Sequence, residues 1–201
     1  RADAQAVALV ALDAALASRL SLAEHPRIVP RLGFDTVTTA SAARMRAALG
    51  DAPLVAVKLD HGGNPTKSLP RAAEGAVLRQ LRARGWRILL DRGFGTDELA
   101  NSDTLMQALG WQPCDIDDSG KGLGRPCEGL ERDALARNPV IRFHGSIAGW
   151  AGAVAACRMA FSYDSVGHHL AAALDIPVVV AFTGYRGADF PIAWQPRGRA
   201  A

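Results

Sequence analysis

The chain has 201 residues, of which 49% are hydrophobic and 21% charged, so it can bury the core of one α/β domain. Its net charge of +3 comes without a run of Lys or Arg, and aromatic residues make up only 6%, so no nucleic-acid partner is expected. No stretch of about 20 apolar residues occurs, and the sequence therefore predicts no transmembrane helix.

The three cysteines, Cys114, Cys127 and Cys157, are far apart and form no CxxC motif. An odd number of scattered cysteines is typical of a reducing compartment, and no basic segment with a small-residue cleavage site opens the chain. We therefore expect free thiols and a cytoplasmic protein. Cys157 is expected in the core, within a helix.

The first fifty residues differ in pattern from the rest. Residues 4–20 are rich in Ala and Leu at helical spacing, a connector with prolines follows, and a short helix is predicted over 41–49 with Gly50 as its end. We therefore predict two parts: a helical segment or linker over residues 1–50 and a folded domain over residues 51–201.

The second part alternates short apolar runs with helical patterns. Strands are predicted at 54–59, 86–90, 111–116, 140–143, 159–163 and 178–182, and helices at 71–84, 96–109, 128–137, 146–157 and 165–174. Continuous apolar strands that alternate with helices are typical of a parallel sheet covered on both faces. The sequence therefore predicts an α/β fold, a doubly wound Rossmann-like parallel sheet, followed by a tail rich in Gly, Pro and Arg.

Ligands bind an open parallel sheet at the carboxyl ends of its strands, and one loop there stands out. The stretch 163–174, YDSVGHHLAAAL, leads from a strand into a helix, whose first N–H groups can bind an anion. The turn is predicted to hold a phosphate or a sugar of a nucleotide-type ligand. For a single cap residue taken alone, capping of the helix is the simpler explanation. The residues of this turn are Asp164, Ser165, Val166, Gly167, His168 and His169.

A second loop at the same edge is glycine-rich. The stretch 60–70, DHGGNPTKSLP, places Gly62, Gly63 and Asn64 ahead of Lys67. Paired glycines can expose backbone N–H groups to an anion, and a lysine ammonium can meet a diphosphate as a point charge. The alternative is a flexible turn with a solvated lysine.

A third loop follows the second predicted strand and ends in Asp97 and Glu98. An acid at this place in such a fold often accepts hydrogen bonds from ribose hydroxyls. Both carboxylates could equally favour the positive end of the next helix.

Taken in chain order, these pieces resemble glycosyltransferase family 9, the ADP-heptose:lipopolysaccharide heptosyltransferases and their relatives. The stretch 164–174 is similar to the family's Asp-[Ser/Thr]-Gly-x-x-His-x-x-Ala-Ala, and KSLP at 67–70 is similar to its Lys-x-aromatic-Pro. The resemblance covers about residues 51–196. Val166 stands where the family has glycine, and Leu69 stands where it has an aromatic residue.

The resemblance implies the C-terminal, donor-binding half of a two-domain GT-B fold, with residues 1–50 as the end of the acceptor-binding domain. It implies a bacterial enzyme that transfers a heptose-like sugar, inverting and without a metal, from a nucleoside diphosphate to a cell-surface glycan or lipopolysaccharide. The donor would be ADP-linked, and no cofactor is implied. The general base belongs to the other domain in this family, so it is not expected in this chain. Transfer would take place in the cytoplasm or at the cytoplasmic face of the inner membrane.

The same resemblance implies a role for each matching residue. Lys67 would meet the diphosphate and stabilise the leaving group, Asp164 would contact the donor sugar, and His169 would support the phosphate end. The ribose would be held by Asp97 or Glu98. The diphosphate would also accept hydrogen bonds from the backbone N–H groups of Ser165, Val166, Gly167 and His168.

Two other functions stay open at the level of the sequence. One is a non-catalytic module that binds a nucleotide or nucleotide sugar. The other is a different GT-B enzyme, such as a nucleotide-sugar epimerase.

Overall fold

The structure is a computed structural model that describes residues 53–59, 64–118, 138–185 and 187–196, together with Ala40, Ala43, Arg46 and Ala47. These ranges contain a sheet in which every neighbouring pair of strands is parallel. The strands are β1 (Leu54–Lys58), β2 (Arg87–Asp91), β3 (Cys114–Ile116), β4 (Val140–Phe143), β5 (Met159–Tyr163) and β6 (Val178–Ala181). The α-helices are α1 (Arg71–Ala83), α2 (Thr96–Leu109), α3 (Ile147–Val154), α4 (Val166–Ala173) and α5 (Phe190–Ala193).

The strand order across the sheet is β3-β4-β2-β1-β5-β6. The chain passes from β1 to β2 on one side and later returns to β5 on the other side of β1. The order therefore reverses between β1 and β5, and the loops that follow these two strands diverge at their carboxyl ends. Such a reversal leaves a crevice where open α/β sheets bind ligands.

Helices cover both faces of the central strands, which explains why β1, β2 and β4 are buried along their whole length. One core layer packs beneath α1 and α2 and includes Leu78 and Leu105. The other packs beneath α3 and α4 and includes Trp150 and Ala171. Alternate residues of each strand enter alternate layers, as the pleat requires.

The predicted doubly wound α/β fold is confirmed, with strand and helix bounds within a few residues of those expected. Helix α3 ends at Val154 and not near Cys157, and the short helix α5 was not predicted in the tail. The helices expected over 4–20 and 128–137 lie outside the described residues, as does most of the segment 1–50. No helix in the described ranges is long and apolar enough to cross a membrane.

The expectation of free thiols is wrong for Cys114, which is disulfide-bonded. Cysteines far apart in sequence can pair when folding brings their Cβ atoms close, and sequence spacing does not report this. Cys157 is free and buried after α3, and burial raises the pKa of its thiol. The cysteines therefore do not support the expectation of a reducing compartment.

Candidate functional site

The loops after β1 and β5 meet at the point where the strand order reverses. Lys67 ends a 3₁₀ turn, Pro65–Lys67, and its Nζ lies 2.5 Å from Asp164 Oδ2 at the end of β5. The side chain of Lys67 is 28% exposed, whereas that of Asp164 is only 6% exposed. The side chain of Lys67 is thus partly exposed while a buried carboxylate pairs with its ammonium.

Asn64 fixes the turn that carries Lys67. Its side-chain oxygen accepts hydrogen bonds from Thr66 N and Thr66 Oγ1, at 3.1 and 2.7 Å. Its backbone carbonyl accepts from Lys67 N at 3.1 Å. Asn64 therefore acts within the loop in this arrangement, while Gly62 and Gly63, predicted as an anion nest, lie outside the described residues.

The N-terminus of α4 is capped by its own residues. Ser165 Oγ accepts from Gly167 N at 3.3 Å and from the N–H of His168, while Ser165 N donates to His168 Nδ1 at 3.1 Å. Three of the four N–H groups implied to bind a diphosphate are thus already engaged. Among the described residues, the N–H of Val166 has no such partner. An anion here meets that N–H and the helix dipole directly, and reaches the other groups only when the cap opens.

The contacts of His168 define its tautomer. Because Nδ1 accepts a hydrogen bond from Ser165 N, the proton must lie on Nε2, which donates to the carbonyl of Trp194 at 3.0 Å. Burial lowers the pKa of His168, and the Trp194 carbonyl partly opposes that shift. Both ring nitrogens are therefore engaged in the turn and its contact with the C-terminal segment.

The segment after β6 folds across the same edge of the sheet. Thr183 Oγ1 donates to the carbonyl of Lys67. A Cβ placed on Gly184, whose φ is 64°, would lie 2.0 Å from Thr66 O, so this contact requires glycine. Phe190 lies beneath the ammonium of Lys67, with Nζ 5.8 Å from the ring centroid. Three loops, 64–69, 163–169 and the described parts of the segment after β6, 182–185 and 187–194, therefore surround Lys67.

A buried polar trio lies below this site on the α1 side of the sheet. Tyr163, which is 0% exposed, donates from its hydroxyl to Glu74 Oε1 at 2.7 Å. The hydroxyl oxygen of Tyr163 also accepts a hydrogen bond from Leu69 N at 3.0 Å. Burial raises the pKa of Tyr163, as does its hydrogen bond to Glu74, so the hydroxyl keeps its proton.

A buried ion pair lies below the site on the other face of the sheet. Lys58, at the end of β1, pairs with Asp91, at the end of β2, and both side chains are 2% exposed. Asp91 Oδ1 also accepts from Gly93 N at 3.1 Å and so holds the start of the loop after β2. The Lys58 side chain packs against Gly167, because a Cβ on that glycine would lie 2.8 Å from Lys58 Cδ.

The two acids proposed for ribose binding differ in their surroundings. Glu98 Oε2 accepts from Phe94 N and Gly95 N, at 2.8 and 3.3 Å, and thereby closes the loop before α2. Asp97 is exposed. Glu98 also lines a cleft between the starts of α1 and α2, together with Leu59, Leu69, Arg71, Leu90, Asn101 and Leu105. A role in ribose binding stays a prediction for both acids.

Several residues that support the site were not among the predicted site residues: Lys58, Glu74, Asp91, Tyr163 and Trp194. A signal existed for the ion pair, because Lys58 lies near the end of one predicted apolar strand and Asp91 directly follows the next predicted strand along the chain. No comparable signal linked Glu74 to Tyr163, which are 89 positions apart. Among the described residues, no group of three or more His, Cys, Asp and Glu side chains is placed to hold a metal ion.

Comparison with known proteins gives matches among solved structures only; no protein-family model and no curated protein matches the chain. ADP-heptose lipopolysaccharide heptosyltransferase II from Escherichia coli aligns with a TM-score of 0.53 and 17% identity, over 79% of this chain and 41% of its own. A family 9 glycosyltransferase from Veillonella parvula aligns with a TM-score of 0.61 and 12% identity, over 91% and 45%.

At these identities the likeness establishes the fold. The expected resemblance to family 9 glycosyltransferases is confirmed at the level of the fold. The expectation of a Rossmann-like unit that matches one part of a larger glycosyltransferase is confirmed at the same level. The chain spans less than half the length of each of the two structures.

Proposed function

We propose that this chain binds the nucleoside diphosphate sugar of a glycosyltransferase, with Lys67 as the cation that meets the diphosphate. The observation that carries the proposal is the position of Lys67: at the strand-order reversal, part-exposed, and 2.5 Å from a buried Asp164. A phosphate placed between the ammonium and the start of α4 has a full positive charge on one side and a helix dipole on the other.

The proposed reaction is an inverting, metal-independent transfer. The acceptor hydroxyl attacks the anomeric carbon, the bond to the diphosphate breaks, and the nucleoside diphosphate leaves with the bonding electron pair. Negative charge grows on the leaving phosphate, where a positioned ammonium stabilises it more strongly than in the ground state. Asp164 keeps that ammonium aimed at the crevice and is also the residue proposed to contact the donor sugar.

The finer identity of the substrates is also a proposal. Support comes from the compared proteins, one of which is an ADP-heptose lipopolysaccharide heptosyltransferase. We propose an ADP-linked, heptose-like donor and a cell-surface glycan or lipopolysaccharide acceptor. The reaction would take place in the cytoplasm or at the cytoplasmic face of the inner membrane. The base that deprotonates the acceptor is proposed to belong to an acceptor-binding domain.

One observation favours a second candidate, a non-catalytic module that binds a nucleotide or nucleotide sugar. The start of α4 has its N–H groups of Ser165, Gly167 and His168 already satisfied, and the side chain of Val166 is exposed at the mouth of this turn. Such a turn can bind a phosphate without stabilising a transition state. Product analysis of the full-length protein with an ADP-sugar separates the two, because only the enzyme releases ADP in the presence of an acceptor.

The testing experiment is calorimetric titration of the chain with ADP and with UDP, with and without magnesium. We expect ADP to bind, and Lys67→Ala to weaken it about tenfold or more, since a hydrogen bond to a charged group contributes about 1.5–3 kcal/mol. The matched control is Arg84→Ala, which removes an exposed cation at the amino edge of the sheet and should leave the affinity unchanged. Failure of both nucleotides to bind would overturn the proposal.

A further inference from the structure

We propose that Tyr163 is a positioning residue whose hydroxyl, held by Glu74, fixes the loop that presents Lys67. Only the expected effect of Tyr163 on nucleotide binding rests on the proposed function. The positioning itself is a property of the described loop. Neither Tyr163 nor Glu74 contacts a ligand in this proposal.

The chemistry of the three groups determines which is the donor and which the acceptor in each hydrogen bond of Tyr163. A phenol has a single proton, and Tyr163 gives it to the carboxylate Oε1 of Glu74 at 2.7 Å. A lone pair of the Tyr163 hydroxyl oxygen is then left to accept from Leu69 N at 3.0 Å. Glu74 belongs to α1 and Tyr163 to β5, so a loop residue is tied through one oxygen to two rigid elements.

The next residue along the chain holds the same loop from the other side. Asp164 meets Lys67 Nζ at 2.5 Å, while Tyr163 holds the backbone of Leu69 two positions further on. Tyr163 is the last residue of β5 and Asp164 is the first residue after it, so one dipeptide reaches the loop at two separate points. A third tie, from Thr183 Oγ1 to the carbonyl of Lys67, completes the fixation.

Burial makes this arrangement specific to the hydroxyl. Tyr163 is 0% exposed and Glu74 is 8% exposed, so water is poorly placed to replace a lost partner. Phenylalanine fills the same volume but cannot accept from Leu69 N. Loss of that one bond frees the loop between Lys67 and α1, and the ammonium then spends part of its time away from the crevice.

The first measurement does not involve a nucleotide. In Tyr163→Phe, hydrogen exchange at the Leu69 amide should become at least several-fold faster, and acetylation of Lys67 should accelerate relative to buried Lys58. Thr104→Val, which removes an exposed hydroxyl on α2, is the matched control and should change neither rate. Unchanged exchange and acetylation in Tyr163→Phe would overturn the positioning role.

The second measurement is ADP affinity. We expect Tyr163→Phe to weaken it about three- to tenfold, the equivalent of one lost hydrogen bond. Added to Lys67→Ala, the same change should have no further effect, because its influence passes through Lys67. Equal losses with and without Lys67 would contradict the proposal, since a merely structural effect is independent of that ammonium.

Two changes at Glu74 test the positioning role independently, in case Tyr163→Phe folds poorly. Glu74→Gln keeps an oxygen that accepts from the phenol, so the Leu69 amide should exchange at the wild-type rate. Glu74→Leu removes that oxygen, so the Leu69 amide should exchange faster. Equal behaviour of the two variants would overturn the proposal. If the wild type binds no nucleotide while the Leu69 exchange still responds, the proposed function fails and the positioning role stands.

Discussion

His169 lies in the first turn of α4, with its ring between those of His168 and Trp194 at centroid distances of 3.8 and 5.7 Å. Burial lowers its pKa to about 4, the neighbouring His168 lowers it as well, and Asp164 opposes the shift. The imidazole is therefore neutral at pH 7. Any support that His169 gives to a phosphate is that of a hydrogen-bond donor and not of a cation, which leaves Lys67 as the charged partner.

The shifted pKa of His169 predicts a pH dependence of stability. The unfolded chain takes up a proton near pH 6.5, while the folded chain takes it up only near pH 4, so the unfolded state binds more protons between these values. The free energy of unfolding should therefore fall as the pH drops from 7 to 5, by up to about 2 kcal/mol from this residue.

Urea unfolding at several pH values, for the wild type and His169→Gln, measures this effect. The variant should show a smaller loss between pH 7 and 5, with a remaining slope from His168, whose pKa is lowered in the same direction. Parallel profiles for the two proteins would show that His169 does not carry the dependence.

Lys58 shows what a sequence pattern hides at the residue scale. The run LVAVK forms a strand buried at every position, and its lysine is as buried as its valines. A buried charge is tolerated when an opposite charge and further hydrogen bonds surround it, and here Asp91 supplies the charge. The register, in which Val57 faces Leu90, places the two side chains at neighbouring strand ends.

At the scale of elements, α4 lies close to the sheet because Gly167 has no side chain. A Cβ at this position would lie 2.8 Å from Lys58 Cδ and 2.9 Å from Ser162 Oγ. The family pattern has its glycine one position earlier, at Val166, whose side chain is exposed. In this chain the glycine therefore serves the packing of the helix on the buried ion pair, and the exposed position carries valine.

Gly167→Ala should lower the free energy of unfolding by about 1–3 kcal/mol, the usual cost of an extra methyl group in a packed interior. The cause is steric, because the helical backbone of Gly167 suits any residue. Thermal or urea unfolding measures the loss. Gly187→Ala is the control, since a Cβ there meets nothing within 4 Å, and equal stability of the two variants would contradict the prediction.

The elements were predictable because each strand is a short apolar run closed by polar or glycine residues. Val140–Phe143 and Met159–Tyr163 were located to the residue, and the helix predicted from residue 146 has Ser146 as its cap, through a bond from Gly149 N at 3.0 Å. Helix α5 escaped prediction because its four residues gain their order from ring contacts of Phe190 with Phe182 and Trp194. Such contacts depend on side-chain conformations after β6, which the residue types alone do not determine.

Part of the candidate site was also predictable, because its loops follow the predicted strands. The sequence indicated that Lys67 and Asp164 lie at one edge of a parallel sheet, and the structure brings them to 2.5 Å. It did not indicate that Ser165 and His168 satisfy the N–H groups of the same turn. Which groups a helix start leaves open depends on side-chain conformations, which residue types alone do not determine.

At the scale of the whole molecule, three loops from different parts of the chain meet at one edge of the sheet. They follow β1, β5 and β6, which are adjacent in the strand order although β1 and β5 are about a hundred residues apart. Hydrogen bonds from Thr183 to Lys67 and from His168 to Trp194 link the loops to one another. A ligand that contacts one loop should therefore slow the motion of all three.

This linkage predicts where a nucleoside diphosphate slows amide exchange. At about 100 times its dissociation constant, ADP should stabilise the chain by about 2.7 kcal/mol and protect residues 64–69, 164–169 and 183–194. The turns at the opposite edge of the sheet, around Gly85 and Gly110, should exchange at unchanged rates. Their amides exchange through local opening without unfolding of the whole chain, and this opening does not involve the site. Hydrogen exchange read by mass spectrometry, with and without ADP, resolves these segments.

Lys67→Ala supplies the control for this experiment, because a tenfold weaker affinity at the same ADP concentration should lower the stabilisation to about 1.4 kcal/mol and reduce the protection in all three loops together. Protection spread evenly over both edges of the sheet would indicate global stabilisation without a site at the carboxyl edge. Protection of residues 64–69 alone would show that the loops respond separately. Either result would contradict a single site built from three loops around one ammonium.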